Sequence, residues 1–192
     1  MPEGTSAPSG AREWMVEIRQ YPDPVLRKKT RPVRMFDEAL ARTAAEMVRA
    51  MRAAAGLGLA ATQVGLAERM AIITTDDQPG HETVIVNPEI TRSEGWQESD
   101  EGCLSLPGIY IKIGRFARVR LKYQDLEGRA REMDAENLLA RAVQHELDHL
   151  DGRLLVDRMS PVQKMAHRRR LKELANRFKK REETAGKPID AK

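Results

Sequence analysis

Gln144-His145-Glu146-Leu147-Asp148-His149 decides how this chain is read, and it lies late in a run whose apolar spacing predicts a helix. On a helix of 3.6 residues per turn, His145 and His149 project from one face about 6 Å apart along the axis. Two imidazoles so placed form a bidentate clamp for a divalent metal. Glu146 follows the first histidine, which puts a carboxylate beside the clamped ion without making it a ligand of the same geometry, as a general base for water requires. The pattern is HExxH, and it needs a third ligand.

Outward from this helix the chain alternates strand and turn signals. Asp134 or Asn137 offers the helix an N-cap and Gly152 a stop. Upstream, residues 109–113 and 117–123 alternate apolar and polar side chains, with Val119, Leu121 and Tyr123 on one face, and a turn at 125–128 lets 129–133 return as a partner strand. Met70–Thr75 and Thr83–Pro88 are β-branched runs across a turn, with Pro88 closing the second; His81 in that turn reads as a loop histidine at the surface. Before them, Asp37 caps a helix whose Leu40, Ala44, Met47, Val48, Met51 and Ala55 recur at core spacing, with Gly56 as its stop. Residues 14–33, broken by Pro22, Pro24 and Pro32, read as extended chain wrapping the domain. From Pro161 a long helix follows, with Val162, Met165, Leu171, Leu174 and Phe178 apolar among basic residues. The fold class expected is α+β: antiparallel sheets packed around a central, metal-binding HExxH helix, plus a C-terminal basic helix.

The 192 residues suit one domain with a sizeable core. Residues 1–13 read as a disordered tail, 14–159 as the catalytic domain, 160–183 as the basic helix and 184–192 as a second disordered tail. No apolar run approaches the 18 residues of a membrane span, and the first ten residues lack the basic and apolar regions of a targeting signal. One cysteine excludes an intramolecular disulfide and suits a reducing compartment, so a cytoplasmic location is expected. Net charge is +4, but residues 160–192 hold eleven Lys/Arg against four Asp/Glu, leaving 22 against 25 for the remainder. The tail is a solvated helix face or a docking surface for an anionic partner.

Cys103, the single thiol, is the best third ligand on offer. Two imidazoles and a thiolate hold a metal while leaving a fourth position open, as a catalytic site needs. A zinc protease is the competing reading of HExxH. Its extended metzincin form requires a histidine where this chain has Leu155, and His167 begins an HRRR run whose charge repels a dication. The Gly/Ala-rich stretch 56–65 lacks the closing Gly-Lys-Ser/Thr of a phosphate loop; its small residues let a ligand approach, and Gln63 is its polar group. On the metal helix, Leu138 and Ala142 share the face of His145, as a pocket lining or as ordinary core.

Three segments in this order, GLGLAATQVG (56–65), EGCLSLPG (101–108) and QHELDHLDG (144–152), closely resemble the motifs of bacterial peptide deformylases, over a span from about Val16 to Arg158. The resemblance implies a hydrolase that removes the N-formyl group from the initiating methionine of new polypeptides and releases formate. It implies ferrous iron, with Zn2+, Ni2+ or Co2+ able to replace it, held by Cys103, His145 and His149. Glu146 is then the general base, and the backbone N–H of Leu104 and the side-chain amide of Gln63 stabilise the oxyanion. Leu57 faces the methionine side chain, while Gly58 and Gly102 pair with the substrate as an added strand. The basic tail resembles the helix with which one bacterial subgroup docks on the ribosome near the peptide exit. A non-enzymatic ribosome or RNA-binding protein is the alternative from another class, and it leaves Cys103, Gln63 and the HELDH helix without a role.

Overall fold

The computed structural model describes residues 16–75 and 78–185. The expected tail at 1–13 lies outside them, as does that at 184–192 from residue 186 on; its first two residues, 184 and 185, instead continue the last helix. Residues 16–33 run without helix or strand except for a 3-10 turn at Pro24–Arg27, capped by the Asp23 carboxylate on the Val25 N–H, and an isolated bridge from Arg31 to Glu68. Asp37 caps α1 (Glu38–Ala53) by accepting from the Leu40 N–H, and Leu40, Ala44, Met47, Ala50 and Met51 are its buried face. The stop differs from expectation. The chain leaves the helix at Ala54 and reverses at Ala55, φ 52°, so Ala55 is exposed and Gly56 is not the reversal point. Gly56 instead makes room for Leu104, whose Cδ1 lies 2.8 Å from where a Cβ would stand.

Seven strands follow among the described residues: β1 (Gly58–Ala60), β2 (Met70–Ile73), β3 (Thr83–Glu94), β4 (Gln97–Gly102), β5 (Tyr110–Arg115), β6 (Arg118–Gln124) and β7 (Ala130–Glu136). They form an antiparallel five-stranded sheet ordered β1-β2-β3-β6-β7 and a separate antiparallel pair, β4-β5. Pro88 does not end β3. The register against β6 shifts between Val86 and Glu89, so the residue without an N–H falls in an irregularity and the strand continues to Glu94. Asn87, at φ 51°, ties this point to Val33 through its side chain, accepting from the Val33 N–H and donating to its carbonyl.

The HExxH segment lies on α2 (Asn137–Leu150). Neither expected cap operates. Asp134 stays in β7, paired with Arg120, and Asn137 takes φ 51° at the junction, where its N–H donates to the Ala117 carbonyl. The strand runs straight into the helix, and no side chain caps its first turn. Gly152 is the stop, at φ 75°, where a Cβ would come within 2.5 Å of the Arg27 carbonyl oxygen. Ala140, Val143 and Leu150 of α2 pack into one cluster with Ala60, Ala71, Ile73, Ile85, Val119, Leu121 and Ala135 of the large sheet. Each large apolar side chain buried there contributes about 1.5–3 kcal/mol, which fixes the helix on the sheet and with it the direction of both histidines.

Past a 3-10 turn at Leu155–Arg158, the single long helix expected from Pro161 is two, α3 (Pro161–Ala166) and α4 (Arg168–Ala185), broken at His167. Ser160 and Gln163 form a reciprocal capping box, and Gln163 Nε2 also donates to the Lys112 carbonyl. That polar tether, not apolar packing, holds α3, and Val162 and Met165 are exposed rather than part of the inner face. Leu171, Leu174 and Phe178 remain turned inward. No helix among the described residues is long and apolar enough to cross a membrane.

Candidate active site

Three elements converge at one site. Helix α2 presents His145 and His149, the end of β4 delivers Cys103, and the 3-10 turn at Ala61–Val64 that follows β1 delivers Gln63. The ligand atoms of Cys103, His145 and His149 lie within 4.8 Å of one another. Cys103 Sγ is 3.2 Å from His149 Nε2, and the two imidazole centroids are 5.0 Å apart. Burial pushes the Cys103 thiol up, but the charge of His149 and hydrogen bonds from both histidines outweigh it and hold the thiol well below its usual range. The cluster therefore favours a thiolate. One sulfur anion and two imidazoles at this spacing fit a divalent metal.

Behind His145 stands a residue for which sequence reasoning found no role. Glu101 Oε2 is 3.2 Å from His145 Nδ1, which leaves the other ring nitrogen for the metal side. Its carboxylate is gripped by Arg115 through Nε at 2.7 Å and Nη2 at 2.9 Å, and by Arg141 Nη2 at 2.7 Å. Arg115 reaches on to Asp148 at 2.8 Å, and Asp148 also accepts two bonds from Arg158 at 2.6 Å. Burial works against the Glu101 charge, but the His145 and Arg115 contacts win and hold it at about 2. The signal was present in the sequence: in the alternating run Ile111, Ile113, Arg115 the arginine falls on the inward face.

Glu146 is buried beside the cluster, and burial, opposed by the histidine charges, raises its carboxyl to about 7. Its Oε2 has no hydrogen-bond partner among the described residues. A buried carboxylate oxygen left open is costly unless a ligand completes it. The other oxygen packs on β1, where a Cβ on Gly58 would overlap Glu146 Oε1, so glycine is what lets the carboxylate sit there.

Gln63 is buried and fixed at both ends of its amide. Its Oε1 accepts from the Ala60 N–H at 2.9 Å, and its Nε2 donates to Ser105 Oγ at 3.1 Å and faces Cys103 Sγ at 3.8 Å. Ser105, two residues after the thiol, is a second residue to which the sequence assigned no role. Leu104 sits half-buried in the same turn, packed toward α1. Gly102 pairs with Tyr110 across β4-β5, and a Cβ there would meet the Tyr110 ring at 2.7 Å. Strands β1 and β4, which carry Gly58 and Gly102, each lie at the edge of their sheet. Of the expected pocket residues, Ala142 is buried, whereas Leu57 and Leu138 are 40% and 47% exposed, large apolar side chains open to a ligand.

The pattern of the family described as Polypeptide deformylase matches residues 15–165. The peptide deformylase of Thermodesulfovibrio yellowstonii is 44% identical over 160 residues, covering 82% of this chain and 97% of that protein. That of Thermotoga maritima is 40% identical over 167 residues, 86% of this chain and all of that one. Among solved structures, a peptide deformylase from Legionella pneumophila superposes with a TM-score of 0.80 at 41% identity, covering 91% of this chain and 99% of that one. With the match spanning most of the chain and nearly all of each relative, this chain belongs to the polypeptide deformylase family.

Proposed function

We propose that this enzyme removes the formyl group from N-formylmethionyl peptides, releasing formate, at the Cys103–His145–His149 site. The observation that carries this reading is the buried Glu146 carboxylate, whose Oε2 has no hydrogen-bond partner among the described residues, set beside a three-ligand cluster. Cys103, His145 and His149 would hold one divalent ion, Fe2+ by family resemblance, although a thiolate with two imidazoles suits Zn2+ equally well. Such an ion supplies Lewis acidity, acidifying water and polarising the formyl oxygen. Glu146 takes the proton of the attacking water on a carboxylate oxygen and returns one to the departing amine. The Gln63 amide and the Leu104 backbone N–H stabilise the charge that develops on the formyl oxygen.

The substrate backbone would lie as a strand between the edges of β1 and β4, along Gly58 and Gly102, with its methionine toward Leu57, Leu138 and Ala142. Ribosome docking through the basic outer face of α4, including Arg168, Arg169, Lys172 and Lys180, belongs to the same reading. That contact would weaken with salt.

Cys103→Ala is expected to lose stoichiometric metal, measured by elemental analysis of protein purified without oxygen; retention of a full equivalent would remove the thiolate from the ligand set. Gln63→Ala should lower the deformylation rate by about 10²-fold or more, whereas Leu104→Ile, which keeps the backbone donor, should stay within a few-fold. Equal losses at unchanged metal content would contradict these roles.

A further inference from the structure

Helix α4 has an inner face that the basic outer face does not explain. Arg170 Nε donates to the Pro107 carbonyl at 2.9 Å, and its guanidinium lies flush on Gly108, 3.3 Å from where a Cβ would stand. Gly108 has φ 76°, so both the backbone turn and the close approach require glycine. Leu174 is fully buried with Leu106 and Ile109, and Leu171 and Cys103 pack against the same cluster.

These contacts fall on one short turn. The Cys103 carbonyl accepts from the Leu106 N–H and the Leu106 carbonyl from the Ile109 N–H. The inner side of the turn is held by Tyr21, whose N–H donates to the Ser105 carbonyl, and by Gln63 on Ser105 Oγ. Its outer side is held at Pro107 and Gly108 by Arg170, which Glu173 steadies at 3.2 Å. Arg181 fastens the far end of α4 to Glu17 at 2.6 Å.

We infer that Arg170 is a positioning residue: by pinning the Pro107–Gly108 turn it fixes the place of the Cys103 thiol and of the Ser105 hydroxyl that orients Gln63. The inference deepens the deformylase reading and rests on it for its kinetic consequence, but not for its structural one. The C-terminal helix is on this account part of the active-site framework as well as a surface for a partner.

The single cysteine makes the test specific, since any thiol reagent reports on Cys103 alone. Three variants are compared: Arg170→Ala, Arg170→Lys, which keeps one donor for the Pro107 carbonyl, and Glu182→Ala, an exposed position of the same helix. In metal-free protein, Arg170→Ala should raise the rate of Cys103 modification by an aromatic disulfide at least about threefold by loosening the turn. In metal-loaded protein it should lower kcat by about tenfold, because small misplacements of reacting groups are costly, with KM for a short formyl-Met peptide within about twofold. Arg170→Lys should recover most of both effects, and Glu182→Ala should match the parent protein. A fall in melting temperature for Arg170→Ala with parental thiol reactivity and parental kcat would overturn the inference and leave α4 as a merely stabilising helix. An inactive parent protein whose Cys103 reactivity still responds to Arg170→Ala would defeat the deformylase reading and leave the positioning role standing.

Discussion

Glu146→Gln is expected to cut formate release by about 10²–10⁴-fold, the usual contribution of a general base, while metal content and fold persist. The exchange keeps the size of the side chain, which packs directly on the Gly58 backbone. Only proton transfer is lost. The same variant carries a pH signature in metal-free protein. Burial raises the Glu146 carboxyl from its ordinary value of 4.5 to about 7, so between those values the folded state binds the extra proton. Stability therefore falls as pH rises through that window and stays lower above it. Glu146→Gln removes this component, and its stability should be flatter from pH 4.5 to 7 than that of the parent. Denaturant titrations at several pH values, with metal chelated, measure the difference; parallel curves would show that the carboxylate is not desolvated as the structure has it.

Arg115→Met should be the most destabilising single exchange among the charged residues, at about 3–5 kcal/mol, because it leaves buried Glu101 and Asp148 without their shared cation. Arg115 is 3% exposed and grips both carboxylates at 2.7–2.9 Å. For a chain of this length the loss corresponds to a melting temperature roughly 10 °C lower. The pH dependence has the opposite sign to that of Glu146. Glu101 is held at about 2, below its ordinary 4.5, so the stability it contributes is complete above the ordinary value and is lost as pH falls toward 2. Without Arg115 the Glu101 pKa rises, and acid unfolding should begin at higher pH. Because Glu101 also orients His145, metal affinity should fall by about 10–100-fold. A stable Arg115→Met protein with parental metal affinity would mean that Arg141 alone suffices to hold Glu101.

What the sequence made legible was local. Spacing of four along a helix put His145 and His149 on one face, and period-two alternation put Val119 and Leu121 in the core. The grouping of Cys103 with those histidines and with Gln63 came from the chemistry of the residues and from three motifs in order, and the structure brings their side chains together. The Glu101–Arg115–Asp148 chain was not legible, because it depends on β4 pairing with β5 so that Glu101 stands opposite Ile111, and on α2 meeting that pair. Nothing local announces such a register. Pro88 misled for a related reason: a strand can absorb a proline where its ladder is already irregular, and that irregularity is a property of the β3–β6 pairing. At the C-terminus, an unbroken run of apolar and basic residues made one helix of two, although Val162 and Met165 lie nine residues before Leu171 and Leu174, on the opposite side of a continuous helix, and only the latter pair meets the core.

The most direct test of the central claim is formate release from formyl-Met-Ala by the ferrous protein, prepared without oxygen. One formate and one free Met-Ala per turnover, abolished by metal chelation and lost in Glu146→Gln, is the expected result. Metal-loaded protein that releases no formate, or that splits the Met–Ala bond instead, would contradict it.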